Sequence, residues 1–171
     1  MQKQVDVVIV GAGPVGLMLA IELKLAGADV IVLERLPTPS VAVKANAVGP
    51  LGAEILQRRG MGTALLDAED RHFATMGPVG VERRAQAHSS RGGNFAALPL
   101  RADTVSEPHR RMVWVDQQGV EAILADRAAS LDIDVRRGCE VTGIEQDENG
   151  AMLQWTSPTG STHGRGGWLI G

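Results

Sequence analysis

The run Gly11-Ala12-Gly13-Pro14-Val15-Gly16 leaves this chain few ways to fold, because of what stands on either side of it. Upstream, Val5-Asp6-Val7-Val8-Ile9-Val10 is a short β-branched stretch that reads as a buried strand of a parallel sheet and stops at the first glycine. Downstream, Pro14 suits a first helical turn, where its missing N–H costs nothing. A largely apolar helix is predicted from about Val15 to Ala26, with Gly27 ending it. Val30 to Leu33 then makes a second strand that closes on Glu34. The unit is strand, glycine turn, helix, strand, acid.

Each part of that unit has a physical task. Gly11 permits the tight turn, Gly13 lets a pyrophosphate approach the backbone, and Gly16 lets the helix pack close to the strand. The free N–H groups and the positive end of the helix dipole face an anion. Glu34, at the carboxyl end of the second strand, is placed to accept hydrogen bonds from a ribose diol. A glycine cluster serving helix packing alone is the competing explanation, and the full register of parts speaks against it. The stretch is therefore read as holding an adenine dinucleotide, with FAD and NAD both open at this point.

Composition excludes other classes. With 171 residues the chain suits one domain with a real core, and a net charge of −3 offers no electrostatic case for nucleic acid or an anionic membrane. Arg110-Arg111 and Arg136-Arg137 are read as solvated surface pairs. The uncharged run Val7 to Ile21 is shorter than the roughly 20 residues of a spanning helix and is broken by glycines and Pro14, while Asp6 argues against a signal peptide. The single cysteine, Cys139, excludes an internal disulfide, fits a reducing cytoplasm and is expected to be a buried structural thiol. His72, His88, His109 and His163 lack metal-ligand spacing, so no metal is predicted.

After Glu34 comes a proline-containing loop and a short helix over about Leu51 to Arg59, ended by Gly60. From about Thr63 to Arg111 regular patterning fades; long loops are expected there, with a strand inside "RGGNFAALPLRA". Order returns where Val120, Ile123, Leu124, Ala128 and Leu131 recur at helical spacing, followed by a third parallel strand over Ile133 to Val135. The last segment, from Cys139, shows three apolar strands separated by turns at Asn149-Gly150 and Pro158-Thr159-Gly160, a β-meander inserted after the parallel sheet.

"GAGPVG", the "VLER" strand end, the Lys44-containing loop, "VDQQGVEAIL" and the meander together resemble the FAD-binding half of class A flavoprotein monooxygenases, the para-hydroxybenzoate hydroxylase type. "VKANAVGPLGAEILQRRG" and "GGNFAALPLRA" lean further toward the aromatic-polyketide hydroxylases of actinomycete antibiotic pathways. The resemblance implies a three-layer α/β, Rossmann-like FAD-binding fold of the glutathione-reductase type, with a mostly parallel sheet, crossover helices and the inserted meander. It also implies that Gly11, Gly13, Pro14, Val15 and Gly16 meet the FAD pyrophosphate, Glu34 the ribose, and Arg35 the adenosine half. The family usually carries arginine where this chain has Lys44, in the loop with Asn46 that meets the pyrophosphate or ribityl region; lysine keeps the charge and loses the bidentate fork. Gln117 matches a glutamine that hydrogen-bonds the flavin chain, and Val141 a strand residue whose backbone lies near adenine.

The function so implied is an NAD(P)H- and oxygen-dependent FAD monooxygenase that hydroxylates a polycyclic aromatic polyketide. Flavin carries the hard chemistry, so no catalytic side chain is assigned in this segment. Baeyer–Villiger oxygen insertion, a nicotinamide-dependent dehydrogenase and a non-catalytic half of a split or cleaved flavoprotein are the alternatives. In the family a strand like Trp168-Leu169-Ile170-Gly171 leads into an Asp-Gly motif and then a substrate domain. Residues 1–171 are accordingly expected to be the N-terminal part of an FAD-binding domain, with the substrate domain outside this chain, the flavin-ring end of the cofactor uncovered, and apolar side chains exposed around Trp168.

Overall fold

The structure is a computed structural model that describes residues 4–42, 45–89, 93–95, 98–100 and 111–171, with only the backbone described for 87–89, 93–95 and 98–100. In chain order the elements are β1 (Val5–Val10), α1 (Pro14–Leu25), β2 (Val30–Glu34), α2 (Pro50–Arg58), α3 (Gly62–Ala74), α4 (Pro78–Ser89), β3 (Gly93–Phe95), β4 (Leu98–Leu100), α5 (Gln117–Ser130), β5 (Asp134–Arg137), β6 (Glu140–Asp147), β7 (Gly150–Ser157) and β8 (Gly160–Ile170). They divide into two compact units, one of residues 1–41 and 124–171, the other of residues 42–123. Among the described residues no helix is long and apolar enough to cross a membrane.

The first unit is built on a six-stranded sheet of order β5-β2-β1-β8-β7-β6. β1 lies inside it with parallel neighbours on both sides, Val8 opposite Ile31 on β2 and opposite Leu169 on β8. β2 pairs in parallel with β5 in turn, as the βαβ reading requires. Burial on both faces explains why β1 and β2 are apolar runs and not alternating strands: Val7, Val8, Ile9 and all of Val30 to Leu33 are buried. On one face α1 contributes Leu17, Ala20 and Ile21, all fully buried. Val8, Ile31 and Leu33 share a core with Ala151, Leu153 and Trp155 of the meander and with Cys139. Cys139 is buried and free, as expected of a structural thiol, and its N–H donates to the Glu34 carbonyl at 2.9 Å.

The meander is not an appendage to the parallel sheet. β8 is eleven residues long; Gly160 to Gly166 pair antiparallel with β7, and from Gly166 the same strand pairs in parallel with β1. One strand thus joins both parts into a continuous sheet. Val7 and Ile9 face across to Trp168 and Ile170, yet Trp168 is 72% exposed and Ile170 41%. The expected exposure of apolar side chains near the end of β8 is present.

In the second unit the sequence expectation needs correction. Residues from Thr63 onward were expected to form long loops, but α3 and α4 occupy most of the stretch to Ser89. Leu65, Ala68, Glu69 and Phe73 make the buried stripe of α3, and the acid in that stripe is what hid the periodicity. α4 has no apolar stripe to read; its described side chains are exposed apart from the buried Gly80. The expected strand in "RGGNFAALPLRA" is a hairpin of two short strands, β3 and β4.

Candidate functional site

In the first unit the site begins where β1 ends. The Gly11 N–H donates to the Leu33 carbonyl at 2.8 Å, and a φ of +111° then turns the chain off the sheet, a conformation that favours glycine. Gly13 is the N-cap of α1, with no side-chain cap, Pro14 in the first turn and no acid there to meet the dipole. The two remaining glycines are required for different reasons. A Cβ on Gly16 would stand 2.0 Å from the Gly11 carbonyl oxygen, so that position is closed by the chain's own packing. A Cβ on Gly13 would meet nothing within 4 Å, so the space above it is open. An uncapped helix N-terminus facing open space at Gly13 fits a pyrophosphate. Beside it Val15 is 83% exposed, an apolar side chain left free on the same turn.

Glu34 has a role the sequence did not reveal. Its Oε2 accepts the Ala12 N–H at 2.8 Å and its Oε1 accepts the Leu36 N–H at 2.8 Å. The carboxylate therefore clamps the glycine turn to the end of β2. Each oxygen still has acceptor capacity, so the clamp leaves room for a ribose diol. Arg35, the next residue, is exposed. Val141 sits opposite Trp155 at a register shift of the β6–β7 pair and packs half-buried against the core.

The second unit brings Asn46 and Gln117 into one neighbourhood. Val48 and Val113 exchange backbone hydrogen bonds of 2.8 and 2.9 Å in an antiparallel bridge, and the Gln117 N–H donates to the Ala45 carbonyl at 3.0 Å. The Gln117 side chain donates to Glu121 Oε1 at 2.7 Å, one turn along α5, which satisfies that buried carboxylate and leaves the amide oxygen of Gln117 as an acceptor. Lys44 lies outside the described residues.

Arg111 also corrects the sequence reading. The sequence reads it as surface charge, but its guanidinium grips Glu69 with two bonds of 2.7 and 2.5 Å, and the Glu69 side chain is 1% exposed. Glu69 Oε1 also accepts the Trp114 N–H at 2.9 Å. The hydrogen bonds that Arg111 donates to Glu69 hold the Arg111 pKa above its ordinary value, against the opposing effect of burial. The signal available in the sequence was an acid at helical spacing among Leu65, Ala68 and Phe73, which demands a cationic partner somewhere distant.

Known proteins resemble this chain in sequence and in fold. The chain is 39% identical over 168 residues to the 12-dehydrotetracycline 5-monooxygenase/anhydrotetracycline 6-monooxygenase of Streptomyces rimosus, covering 97% of this chain and 30% of that protein. The solved structure of OxyS anhydrotetracycline hydroxylase from Streptomyces rimosus superimposes with a TM-score of 0.78 at 37% identity, over 98% of this chain and 31% of that one. A dialkyldecalin synthase of Streptomyces rugosporus is 36% identical, over 96% of this chain and 31% of its own length. The chain thus spans about 30% of the length of the curated relatives it matches. The sequence profile of the FAD binding domain family matches residues 4–171, from the residue before β1 to the residue after β8, and the chain belongs to that family.

Proposed function

We propose that this chain is the FAD-holding part of an NAD(P)H- and O2-dependent monooxygenase that hydroxylates a polycyclic aromatic polyketide. The observation that carries the reading is the 39% identity to an anhydrotetracycline monooxygenase, spread over 97% of the chain. FAD, when bound, supplies the redox chemistry by which reducing equivalents from NAD(P)H are used to place one atom of O2 on an aromatic ring. The chain's own residues bind and orient. Gly11, Gly13, Pro14, Val15 and Gly16 hold the pyrophosphate against the uncapped end of α1, and Glu34 accepts from the ribose while keeping the turn in place. Arg35 and the backbone of Val141 serve the adenosine half; Lys44, Asn46 and Gln117 serve the pyrophosphate, ribityl chain and flavin. No role in holding the substrate is assigned to residues 1–171, which span about 30% of the length of the relatives they match.

The test is to purify the protein with and without downstream polypeptide, record the visible flavin absorbance, and follow NAD(P)H oxidation with anhydrotetracycline present. Flavin in both forms, and turnover with an oxygen-containing product only in the longer form, is expected. Tight NAD binding with no flavin would sink the proposal. The similarity to a dialkyldecalin synthase supports a second reading, in which this fold serves a synthase; a product of unchanged mass would select it.

A further inference from the structure

Glu69 is a buried acid on α3, a helix that carries none of the residues assigned to the cofactor. Taking a carboxylate out of water is costly, and an apolar side chain of similar volume would pack α3 at least as well. What the acid can do and an apolar residue cannot is accept hydrogen bonds from residues 111–114. Its Oε1 accepts the Trp114 backbone N–H at 2.9 Å and Arg111 Nη1 at 2.7 Å, and its Oε2 accepts Arg111 Nη2 at 2.5 Å. We infer that the Glu69 carboxylate stands in for a neighbouring strand along one edge of this segment and thereby sets the placement of Gln117 and Asn46 toward FAD. It is a positioning residue, and the inference rests on the cofactor roles of those two side chains proposed above.

The backbone on either side of Trp114 gives the reason. Val113 exchanges its N–H and its carbonyl with Val48, at 2.9 and 2.8 Å, and so spends one edge of the segment on the loop that carries Asn46. In an extended chain the next N–H points to the opposite edge, and that N–H, of Trp114, is the one Glu69 receives. A bridge of one residue pair is weak by itself. The carboxylate holds the segment from its other edge, and the two-bonded grip of Arg111, whose Nη1 also donates to the Met112 carbonyl at 3.0 Å, makes that hold directional.

The placement passes from Trp114 to Gln117 through close contacts. Val115 is buried, and a Cβ on Gly119 would stand 2.7 Å from its Cγ2, so the first turn of α5 lies tightly against the bridged segment. Asp116 Oδ1 accepts the Gly119 N–H at 2.7 Å and fixes the start of the helix. Gln117, the first residue of α5, donates its N–H to the Ala45 carbonyl at 3.0 Å, which ties it back to the loop next to Asn46. Three residues separate Gln117 from the N–H that Glu69 holds, so a shift at Trp114 moves Gln117 as well.

The experiment is a double-variant cycle read in FAD affinity. FAD is titrated into the flavin-free protein of the wild type, Glu69→Gln, Gln117→Ala and the two combined, with circular dichroism and urea denaturation of each. Two comparisons accompany them: Arg111→Lys keeps the charge and loses the fork, and Leu65→Ala loosens the same buried stripe of α3 without removing a side-chain hydrogen bond. Glu69→Gln and Gln117→Ala are each expected to raise the Kd for FAD about tenfold, and the pair together about twentyfold, where independent residues would give about a hundredfold. Arg111→Lys should raise the Kd about threefold, while Leu65→Ala lowers the urea midpoint and leaves the Kd within about twofold. If the two effects multiply in full, Glu69 is merely structural and the inference falls while the role of Gln117 stands. If Leu65→Ala weakens FAD as much as Glu69→Gln does, the cause is loose packing of α3 and the inference also falls. If Gln117→Ala leaves the affinity unchanged, the role of Gln117 falls and takes the inference with it. Should Glu69→Gln fail to fold, Arg111→Lys combined with Gln117→Ala decides by the same comparison.

Discussion

The glycine turn between β1 and α1 and the Glu69 cluster on α3 both hold functional backbone in place, by opposite means. At the turn everything is local: Gly11, Gly13 and Gly16 act through their own φ values and through the space a Cβ would or would not find, and the one side chain recruited, Glu34, comes from the adjacent strand. At the cluster a single buried carboxylate organises residues more than forty positions away, Arg111 and Trp114. The first device depends on missing atoms and the second on a pair of charges taken out of water. They should therefore fail differently, the turn by steric conflict confined to a ligand site, the cluster by loss of folding stability.

The largest effect is expected from breaking the cluster. Glu69→Ala leaves the Arg111 guanidinium, 17% exposed, without its partner and should cost about 3 kcal/mol, near the low end for a half-broken buried pair because some water still reaches it. Urea denaturation measures this as a fall in the midpoint. Glu69→Ala combined with Arg111→Met should recover part of the loss; if the double variant is no better, the cost is a cavity and not an orphaned charge. Next comes Gly16→Ala, whose new methyl would press on the Gly11 carbonyl. Roughly 1–3 kcal/mol of stability and most of the FAD affinity should go together.

Gly13 and Glu34 sharpen the contrast within the turn itself. Gly13→Val should leave the apoprotein stable, since its side chain enters open space, while abolishing flavin binding. Glu34→Ala should weaken FAD by roughly 1.5–3 kcal/mol, the value of a charge-assisted hydrogen bond. Glu34→Gln discriminates further, because one of the two N–H donors, Ala12 or Leu36, would then face an amide NH2. Flavin titration of the three apoproteins decides this, and equal affinity in all of them and the wild type would remove the site.

The smallest effect belongs to the meander. The Asp147 pKa is lowered by the hydrogen bond from Arg165 and by that from the Asn149 N–H. A depressed carboxylate pKa stabilises the fold at pH above the ordinary aspartate range and ceases to do so as pH falls through the folded-state value. Asp147→Asn should therefore lower the melting temperature slightly at neutral pH and not at all in strong acid; the side chain is largely exposed, so a large shift would contradict this account.

What the sequence determined by itself is the frame around the glycines. Strand, turn, helix, strand and acid were legible because each obeys short-range rules: β-branched residues for a doubly covered strand, proline for a first turn, glycine where φ is positive or a Cβ has no room. Both turns of the meander and α5 were legible for the same reason. Tertiary structure alone decided three things. β8 fuses the meander to the parallel sheet, since pairing partners more than 150 residues apart leave no local mark. Glu34 clamps the turn, because two backbone donors converge on it once β1 and β2 are paired. Glu69 and Arg111 look like surface charges until the fold removes water from both, and only their mutual neutralisation lets α3 carry an acid in its buried stripe. Local conformational preference is written residue by residue, whereas the pairing of distant charges and strands is settled by which surfaces the folded chain brings together.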